Sequence, residues 1–480
     1  MPTIPFLGRT SSEVVAAAPV ERRSPLQRSG SERLLTGWGR TCPSLASVSY
    51  VSTAEQVADV IGLAGPRGVL ARGLGRSYGD AAQNAGGCVV DLGDASTIEL
   101  DADRCLATAG AGASLDAVMR TLVPRGFFVP VTPGTRMVSV GGAIAADIHG
   151  KNHHVAGTFG SHVHQMRLVD GLGQERVLRP GDGESDDGST AEFWATVAGM
   201  GLTGVITEAT FDLIPVTSSR ISVDTERAKD LDAVMASMIA TDHRYRYSVA
   251  WIDSVHPSGR GVITSGDHAP AEQLPVAERA NALAYDPRIR ATAPGIVPTG
   301  VLNKWTVRAF NEAWYRKAPV SRQGERQSIA SIFHPLDLVQ EWNRVYGAGG
   351  FLQYQFVVPD HAGDVIGIAL RELQRIGAPS FLTVLKRFGA ANPAPLSFPQ
   401  PGWTLAADVP ARIPGLGAAL DRLDELVADA GGRLYLAKDS RQSPEMMART
   451  YPRLPQWQAV RERMDPRGVF TSDLARRLSL

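Results

Sequence analysis

Arg72-Gly73-Leu74-Gly75-Arg76-Ser77-Tyr78-Gly79-Asp80 is a loop dominated by glycine, and about sixty residues later the chain carries another. The second reads Pro133-Gly134-Thr135, then Val140-Gly141-Gly142-Ala143-Ile144-Ala145, then His149-Gly150-Lys151-Asn152. Glycine adopts positive φ without a Cβ penalty and lets backbone approach a ligand closely. Successive backbone N–H groups in such turns form a concavity for anionic oxygens. Two such loops in one domain predict a cofactor with a long, phosphate-bearing body.

The flanking sequence supplies the scaffold. Residues 48–51 alternate as a strand, and Ser52-Thr53-Ala54-Glu55 reads as a capping box opening a helix through Ala64. Residues 68–71 form a buried strand that runs into the first loop. Further strands are expected at 88–92, 97–100 and 106–109. Leu115, Val118, Met119 and Leu122 recur at helical spacing, and Gly126 ends that helix. Residues 127–131 read as extended, 165–170 and 176–178 as strands, 181–189 as an exposed acidic loop and 192–197 as a helix. Gly199-Met200-Gly201-Leu202-Thr203-Gly204 turns into a strand over 206–213. Pro215 marks a boundary. Residues 264–325, rich in Ala, Pro and Arg with little period, predict loops. Strands follow at 353–358 and 381–388, then a helix over 416–430 ended by Gly431-Gly432. A strand over 434–437 ends at Lys438, and 464–470 is a turn-rich closing segment.

The chain has 480 residues with 49 basic and 49 acidic side chains. That balance excludes a general nucleic-acid binder and gives no net attraction to an anionic membrane. Cys42, Cys88 and Cys105 show no C-x-x-C spacing and make no complete disulfide framework. No stretch reaches the ~18 apolar residues of a membrane helix, and the short apolar run at 14–18 is no signal h-region. Residues 1–30 read as a disordered tail.

Rival motifs are weaker. Gly75-Arg76-Ser77-Tyr78-Gly79 fits the G-x-S-x-G pattern of a serine-hydrolase elbow, which requires a helix immediately after it. The following Asp80-Ala81-Ala82-Gln83-Asn84 reads as loop. The spacing G-x-G-x-x-x-G also departs from the dinucleotide fingerprint. His149, His153, His154, His162 and His164 lack an H-E-x-x-H pattern, so no metal site is expected. Lys438 is ordinary surface unless it points into a cleft, where desolvation lowers its pKa.

Taken in order, the motifs resemble the flavin oxidoreductases of the vanillyl-alcohol-oxidase type. The resemblance implies an α+β fold of two domains: a two-part FAD-binding domain over 31–214 and a substrate (cap) domain with an antiparallel sheet over 215–432. Residues 433–480 would return to the FAD-binding domain. Four longer strings are closer to one subfamily: Gly37-Trp38-Gly39-Arg40-Thr41, Asp147-Ile148-His149-Gly150-Lys151-Asn152-His153-His154, Pro395-Leu396-Ser397-Phe398-Pro399 and Tyr435-Leu436-Ala437-Lys438-Asp439-Ser440-Arg441. With the first glycine loop, they resemble the FAD-containing oxidase subunits of actinobacterial decaprenylphosphoryl-β-D-ribose 2′-epimerases, from about residue 34 onward.

That resemblance implies FAD-dependent oxidation of the ribose 2′-hydroxyl of a polyprenyl-phosphoryl sugar to a ketone. A separate NAD(P)H-dependent reductase would complete the epimerisation to the arabinose donor of cell-wall arabinan. Lys438, Tyr78 and His149 would be catalytic. FAD would be held by Arg72, Gly73, Leu74, Gly75, Arg76, Ser77, Tyr78 and Gly79, by Pro133, Gly134, Thr135, Gly141, Gly142, Ile144 and Ala145, and by Asp147, His149, Gly150, Asn152, Gly201, Thr203, Gly204 and Tyr435. Lys151, Trp251, Gln353, Gln355, Lys386, Phe388, Thr404 and Ala406 would line the substrate pocket.

Arg76 stands where many relatives attach FAD through histidine, which implies a non-covalent flavin. Ala406 replaces the cysteine to which nitroaromatic inhibitors attach in mycobacterial members, and Thr404 replaces an asparagine. The family implies a cell-envelope, periplasmic setting, with any membrane contact peripheral and carried by substrate or partner. No export signal appears, which leaves the cytoplasmic face open. The alternatives are an alditol or aldonolactone oxidase of the same fold using oxygen, a serine hydrolase, and a non-catalytic envelope scaffold.

Overall fold

The computed structural model describes residues 13–15, 30–93, 95–181, 189–298 and 300–480. The tail expected over 1–30 lies outside them apart from Gly30 and Glu13–Val15. Those three residues are strand rather than tail, because they complete the free edge of Ile98–Asp101. Most of the expected acidic loop, 182–188, also lies outside the described residues.

Two sheets build the N-terminal part. Ser44–Tyr50, Cys88–Asp91 and Val69–Arg72 pair in parallel, with Ser31–Leu35 antiparallel at one edge. The helix Ala54–Gly62 connects Ser44–Tyr50 to Val69–Arg72 and buries Val57 and Ile61. Its cap is Thr53 rather than Ser52: the Thr53 hydroxyl accepts from the Gln56 amide, and the Ser52 amide donates to the Gln56 side chain. The reciprocal bond from the Gln56 side chain goes to the Ser52 amide, one residue before the cap, so the two bonds straddle residues 52 and 53 instead of closing a box on one of them. The second sheet has six strands in the order Glu13–Val15, Ile98–Asp101, Leu106–Gly110, Val205–Asp212, Val163–Val169, Glu175–Leu178. The helix Leu115–Leu122 buries Leu115, Val118, Met119 and Leu122, the four residues its spacing singles out.

Beyond Pro215 stands an eight-stranded antiparallel sheet. Its order is Ser321–Ser328, Arg220–Ala228, Gly261–His268, Tyr247–Ile252, Thr383–Phe388, Gly402–Pro410, Phe351–Val358, Arg433–Leu434. In antiparallel pairs, residues directly opposite share a face, and the face alternates along each strand. Ala250, Leu385, Leu405, Phe356 and Leu434 fall on one face, packed beneath the helices Leu231–Thr241, Asp364–Arg375 and Leu416–Asp429. Gln355 lies opposite Ala406, Ala406 opposite Val384, and Val384 opposite Trp251 on the other face. The architecture is α+β, a two-domain flavoprotein arrangement of the vanillyl-alcohol-oxidase type.

Two expectations fail. Residues 264–325 are not all loop: they include the 14-residue helix Lys304–Lys317 and most of the strand Gly261–His268. The helix buries only Val307 and Asn311, so it shows no apolar stripe, and its start is set by a capping box between Asn303 and Thr306. The strand expected over 434–437 stops at Leu434. Both Lys438 and Asp439 donate their amides to the Tyr435 carbonyl, which closes a turn instead.

Candidate active site

The first glycine loop is held by its arginines. The Arg72 guanidinium donates to the carbonyls of Ala82 at 2.6 Å and Thr36 at 2.9 Å. Arg76 donates to the Met137 carbonyl at 3.1 Å and lies 3.9 Å over the Trp38 ring, tying the first loop to the second. A Cβ on Gly73 would stand 2.1 Å from the Ser139 hydroxyl, and one on Gly79 would stand 1.9 Å from the Asp439 carbonyl. Gly75 has φ +65°. Among the described residues no helix follows Ser77 before Leu115, so the hydrolase elbow lacks the helix it requires. The Tyr78 amide donates to the Ala437 carbonyl at 2.9 Å and draws the loop against the Lys438 turn.

The second loop is anchored on the cap. Asp337 accepts from the Thr135 hydroxyl at 2.7 Å and the Arg136 amide at 2.8 Å. Ser139 caps the helix Val140–Ala145, which contains Gly141, Gly142 and the fully buried Ile144. Several expected cofactor residues commit their side chains inside the protein. Asp147 accepts from Asn392, Ser397 and the Gly160 amide, Asn152 donates to the Pro130 carbonyl, and Thr203 donates to Thr196. Gly201 has φ +78°, and a Cβ on Gly204 would meet the Leu168 side chain at 2.6 Å.

Across from these loops stands the polar face of the cap sheet. Gln353 is opposite Asp408, Gln355 opposite Ala406, Lys386 opposite Thr404 and Phe388 opposite Gly402. The Gln353 amide donates to Asp408 at 2.5 Å. Gln355 donates to His149 Nε2 at 3.1 Å and, more weakly, to Thr404 at 3.4 Å. His149 is wedged among Phe388, Phe398 and Tyr435, with ring centroids at 4.8, 5.6 and 5.1 Å. Tyr435 donates its hydroxyl to the Ala146 carbonyl at 2.9 Å. Trp251 donates its indole N–H to the Phe381 carbonyl at 3.0 Å and so frames the outer rim. Lys438 Nζ stands 3.8 Å over the Tyr78 ring.

The electrostatics concentrate on three lysines. Burial lowers Lys438 to about 7, against the opposing pull of Asp408. Lys386 falls to about 7 through burial and the nearby charges of Lys151 and Lys438. Burial lowers Lys151 to about 8, and its ammonium donates to the Ile332 carbonyl. Asp408 rises to about 7 because burial outweighs its bond from Gln353 and the charge of Lys438. Lys438 and Asp408 therefore titrate together, as a pair that takes up or gives a proton near neutrality. His149 stays neutral through burial and the charges of Lys386 and Lys438. Burial pushes the Tyr78 phenol well above its usual value.

Asp408 is the site residue that motif reading passed over. The signal was present: positions 404, 406 and 408 share one strand face, so choosing the first two implies the third. The outer histidines go elsewhere. His154 donates to the Tyr245 carbonyl, while His162 and His164 both meet Asp212. Among the described residues no group of three or more His, Cys, Asp or Glu side chains converges as for a metal.

The site fits FAD. Among the described residues, the amides of Gly73, Leu74, Gly75, Arg76 and Ser77 find no partner within the protein, which leaves five consecutive donors free for anionic oxygens. His149 Nδ1 is buried and without a partner, and with Nε2 accepting from Gln355 it carries the ring proton. Residues 45–179 match the FAD binding domain family, and residues 417–478 match the D-arabinono-1,4-lactone oxidase family. The chain is 45% identical to the decaprenylphosphoryl-β-D-ribose oxidase of Mycolicibacterium smegmatis, over 93% of this chain and 97% of that one.

The chain belongs to the decaprenylphosphoryl-β-D-ribose oxidase family. Members of more distant groups align over similar lengths: the alditol oxidase of a Streptomyces species at 25% identity over 92% of this chain and 98% of its own, and the L-gulono-1,4-lactone dehydrogenase of Mycobacterium tuberculosis at 22% over 92% and 97%. As a member of the decaprenylphosphoryl-β-D-ribose oxidase family the chain is an FAD-dependent oxidoreductase.

Proposed function

We propose that this protein oxidises the ribose 2′-hydroxyl of decaprenylphosphoryl-β-D-ribose to the 2′-ketone. The observation that carries the reading is the cluster of Lys438, Lys386 and Lys151, set between amide-lined loops and the polar face of the cap sheet. Three buried amines, with Lys386 lowered further by the charges of Lys151 and Lys438, suit a substrate that brings its own negative charge, as a sugar phosphodiester does.

Bound FAD supplies a two-electron acceptor for the hydride on the carbinol carbon. The backbone amides of 73–77 hold its anionic part, and Arg76, lying on Trp38, offers no nucleophile for a covalent link. Lys438, unprotonated above about 7, takes the hydroxyl proton as the C–H bond breaks. Asp408 faces that lysine and sets the pH at which it is free to do so. Gln355 fixes the His149 ring so that its Nδ1–H is directed into the site. Lys386 and Lys151 hold the phosphoryl group, while Thr404, Ala406, Phe388 and Trp251 shape the wall.

The ketone leaves for a separate NAD(P)H-dependent reductase, which makes the pair an epimerase of the cell envelope. Domain limits at 31–214, 215–432 and 433–480 belong to the same reading, supported by the run of strands on either side of Pro215 and the bond from the Val69 amide to the Val469 carbonyl. Anaerobic mixing of the purified holoprotein with a polyprenyl-phosphoryl ribose tests it: the visible flavin band bleaches. A band that persists, with turnover of a free polyol and peroxide release, replaces this substrate with that of an alditol or lactone oxidase.

A further inference from the structure

The chain has no net charge, yet its charge is not evenly spread. Between residues 288 and 326 lie eight Lys or Arg and only two Glu. Both glutamates are occupied, Glu312 by Arg260 and Arg316 and Glu325 by Arg322. Among the described residues, Arg290, Lys304, Arg308 and Lys317 have no carboxylate within ion-pair distance. The segment also carries exposed apolar side chains. Trp305 is 73% exposed, Phe310 47% and Trp314 44%, and the exposed Ile296, Val301 and Val320 flank the same helix in sequence. These three are the exposed aromatics among the described residues, and all belong to the helix Lys304–Lys317. The helix fully buries only Val307 and Asn311; Glu312 and Tyr315 also tie it to Arg260 and the Ala228 carbonyl, while Trp305 stands largely in the open. Trp and Phe interleaved with Lys and Arg is the composition of a helix lying in the headgroup layer of a membrane. An apolar patch of this kind marks a contact surface.

The patch is connected to the active site. Trp314 stacks on Phe310 at 6.1 Å and Phe310 meets Phe381 at 5.8 Å. Phe381 meets Tyr346 at 6.0 Å, Tyr346 lies on Phe351 at 4.1 Å, and Phe351 meets Tyr78 at 5.2 Å. Lys438 stands over that last ring. A continuous aromatic path therefore runs from the cationic surface to the catalytic lysine.

We infer that the helix Lys304–Lys317, with the basic segment before it, docks the protein on an anionic lipid bilayer. The membrane contact is thus made by the chain's own surface and not only through substrate or partner. A lipid substrate drawn from that bilayer would approach the site from this side, a step that rests on the function proposed above. The docking itself does not.

Flotation of the holoprotein with vesicles, in the absence of any substrate, separates the two. Vesicles of phosphatidylcholine with one-third phosphatidylglycerol carry the protein upward, added salt reduces the bound fraction, and phosphatidylcholine alone carries little. Trp305→Ala with Trp314→Ala, and separately Lys304→Glu with Arg308→Glu, each lower the bound fraction about tenfold while flavin content and visible spectrum stay as in the wild type. No flotation with anionic vesicles overturns the inference, and so does flotation that both variants retain. A change of oligomeric state in the variants without vesicles also overturns it, because it assigns the patch to a protein partner. Flotation together with an unbleached flavin leaves the docking standing and removes the proposed substrate.

Discussion

The two faces of the cap sheet share the same strands and have opposite chemistry. Beneath the helices, Leu385, Leu405, Phe356 and Ala250 are entirely buried among apolar neighbours. One residue away on the same strands stand Lys386, Thr404, Gln355 and Trp251. A period of two lets each strand serve stability with one set of positions and chemistry with the other. The second set is costly to bury: Lys386, Lys438 and Asp408 all sit where desolvation opposes their charge. The apolar face supplies the burial that tolerates this, and the contrast is testable from either side.

The largest effect is expected at Lys438. Lys438→Ala lowers the rate of anaerobic flavin reduction about a thousandfold, with flavin content and melting temperature close to wild type, as stopped-flow absorbance and calorimetry report. Wild-type rates here would remove the lysine from the proton-transfer role. On the opposite face, Leu405→Ala has the reverse profile. It lowers stability by ~2–5 kcal/mol in denaturant titration, and the protein that remains folded reduces its flavin at the normal rate.

The pH profile sharpens the division. Lys438 works unprotonated, so the reduction rate rises with pH through about 7. The Asp408 charge holds the lysine's affinity for a proton up, so Asp408→Asn moves that midpoint below 7. A profile that Asp408→Asn leaves in place breaks the link between the two. The smallest effect is on stability at Lys386. Its folded value, about 7, lies below its ordinary 10.5, so between these the unfolded chain binds more protons. Stability then rises with pH through that window, and what is gained is lost again as pH falls toward 7. Lys386→Met flattens the slope and raises the melting temperature near pH 7 by about 2–4 °C, while substrate binding weakens.

Much of this site was legible from residue order because glycine and strand periodicity are local signals. Gly73 faces the Ser139 hydroxyl and Gly79 the Asp439 carbonyl at distances a Cβ would crowd, and a sequence shows such glycines directly. Leu115, Val118, Met119 and Leu122 announced their helix by spacing and are all buried. The helix Lys304–Lys317 gave no such signal, because Trp305, Phe310 and Trp314 stay exposed and only Val307 and Asn311 are buried. Lys438 was visible as a residue but not as a turn, since only the close of the ladder at Phe356 and Leu434 ends the strand there. The Asp337 anchor on Thr135 and Arg136 spans about two hundred residues and had no local trace.

The sequence by itself determined which stretches carry flavin-type loops, which strand positions alternate, and that the family is one of FAD-dependent oxidases. Each of these depends on neighbours a few residues apart, where backbone sterics and side-chain period act. Only the tertiary structure decided that three lysines and Asp408 share one desolvated site, and that the exposed aromatics among the described residues gather on one helix. Desolvation and charge coupling depend on distance in space, and chain order does not record it.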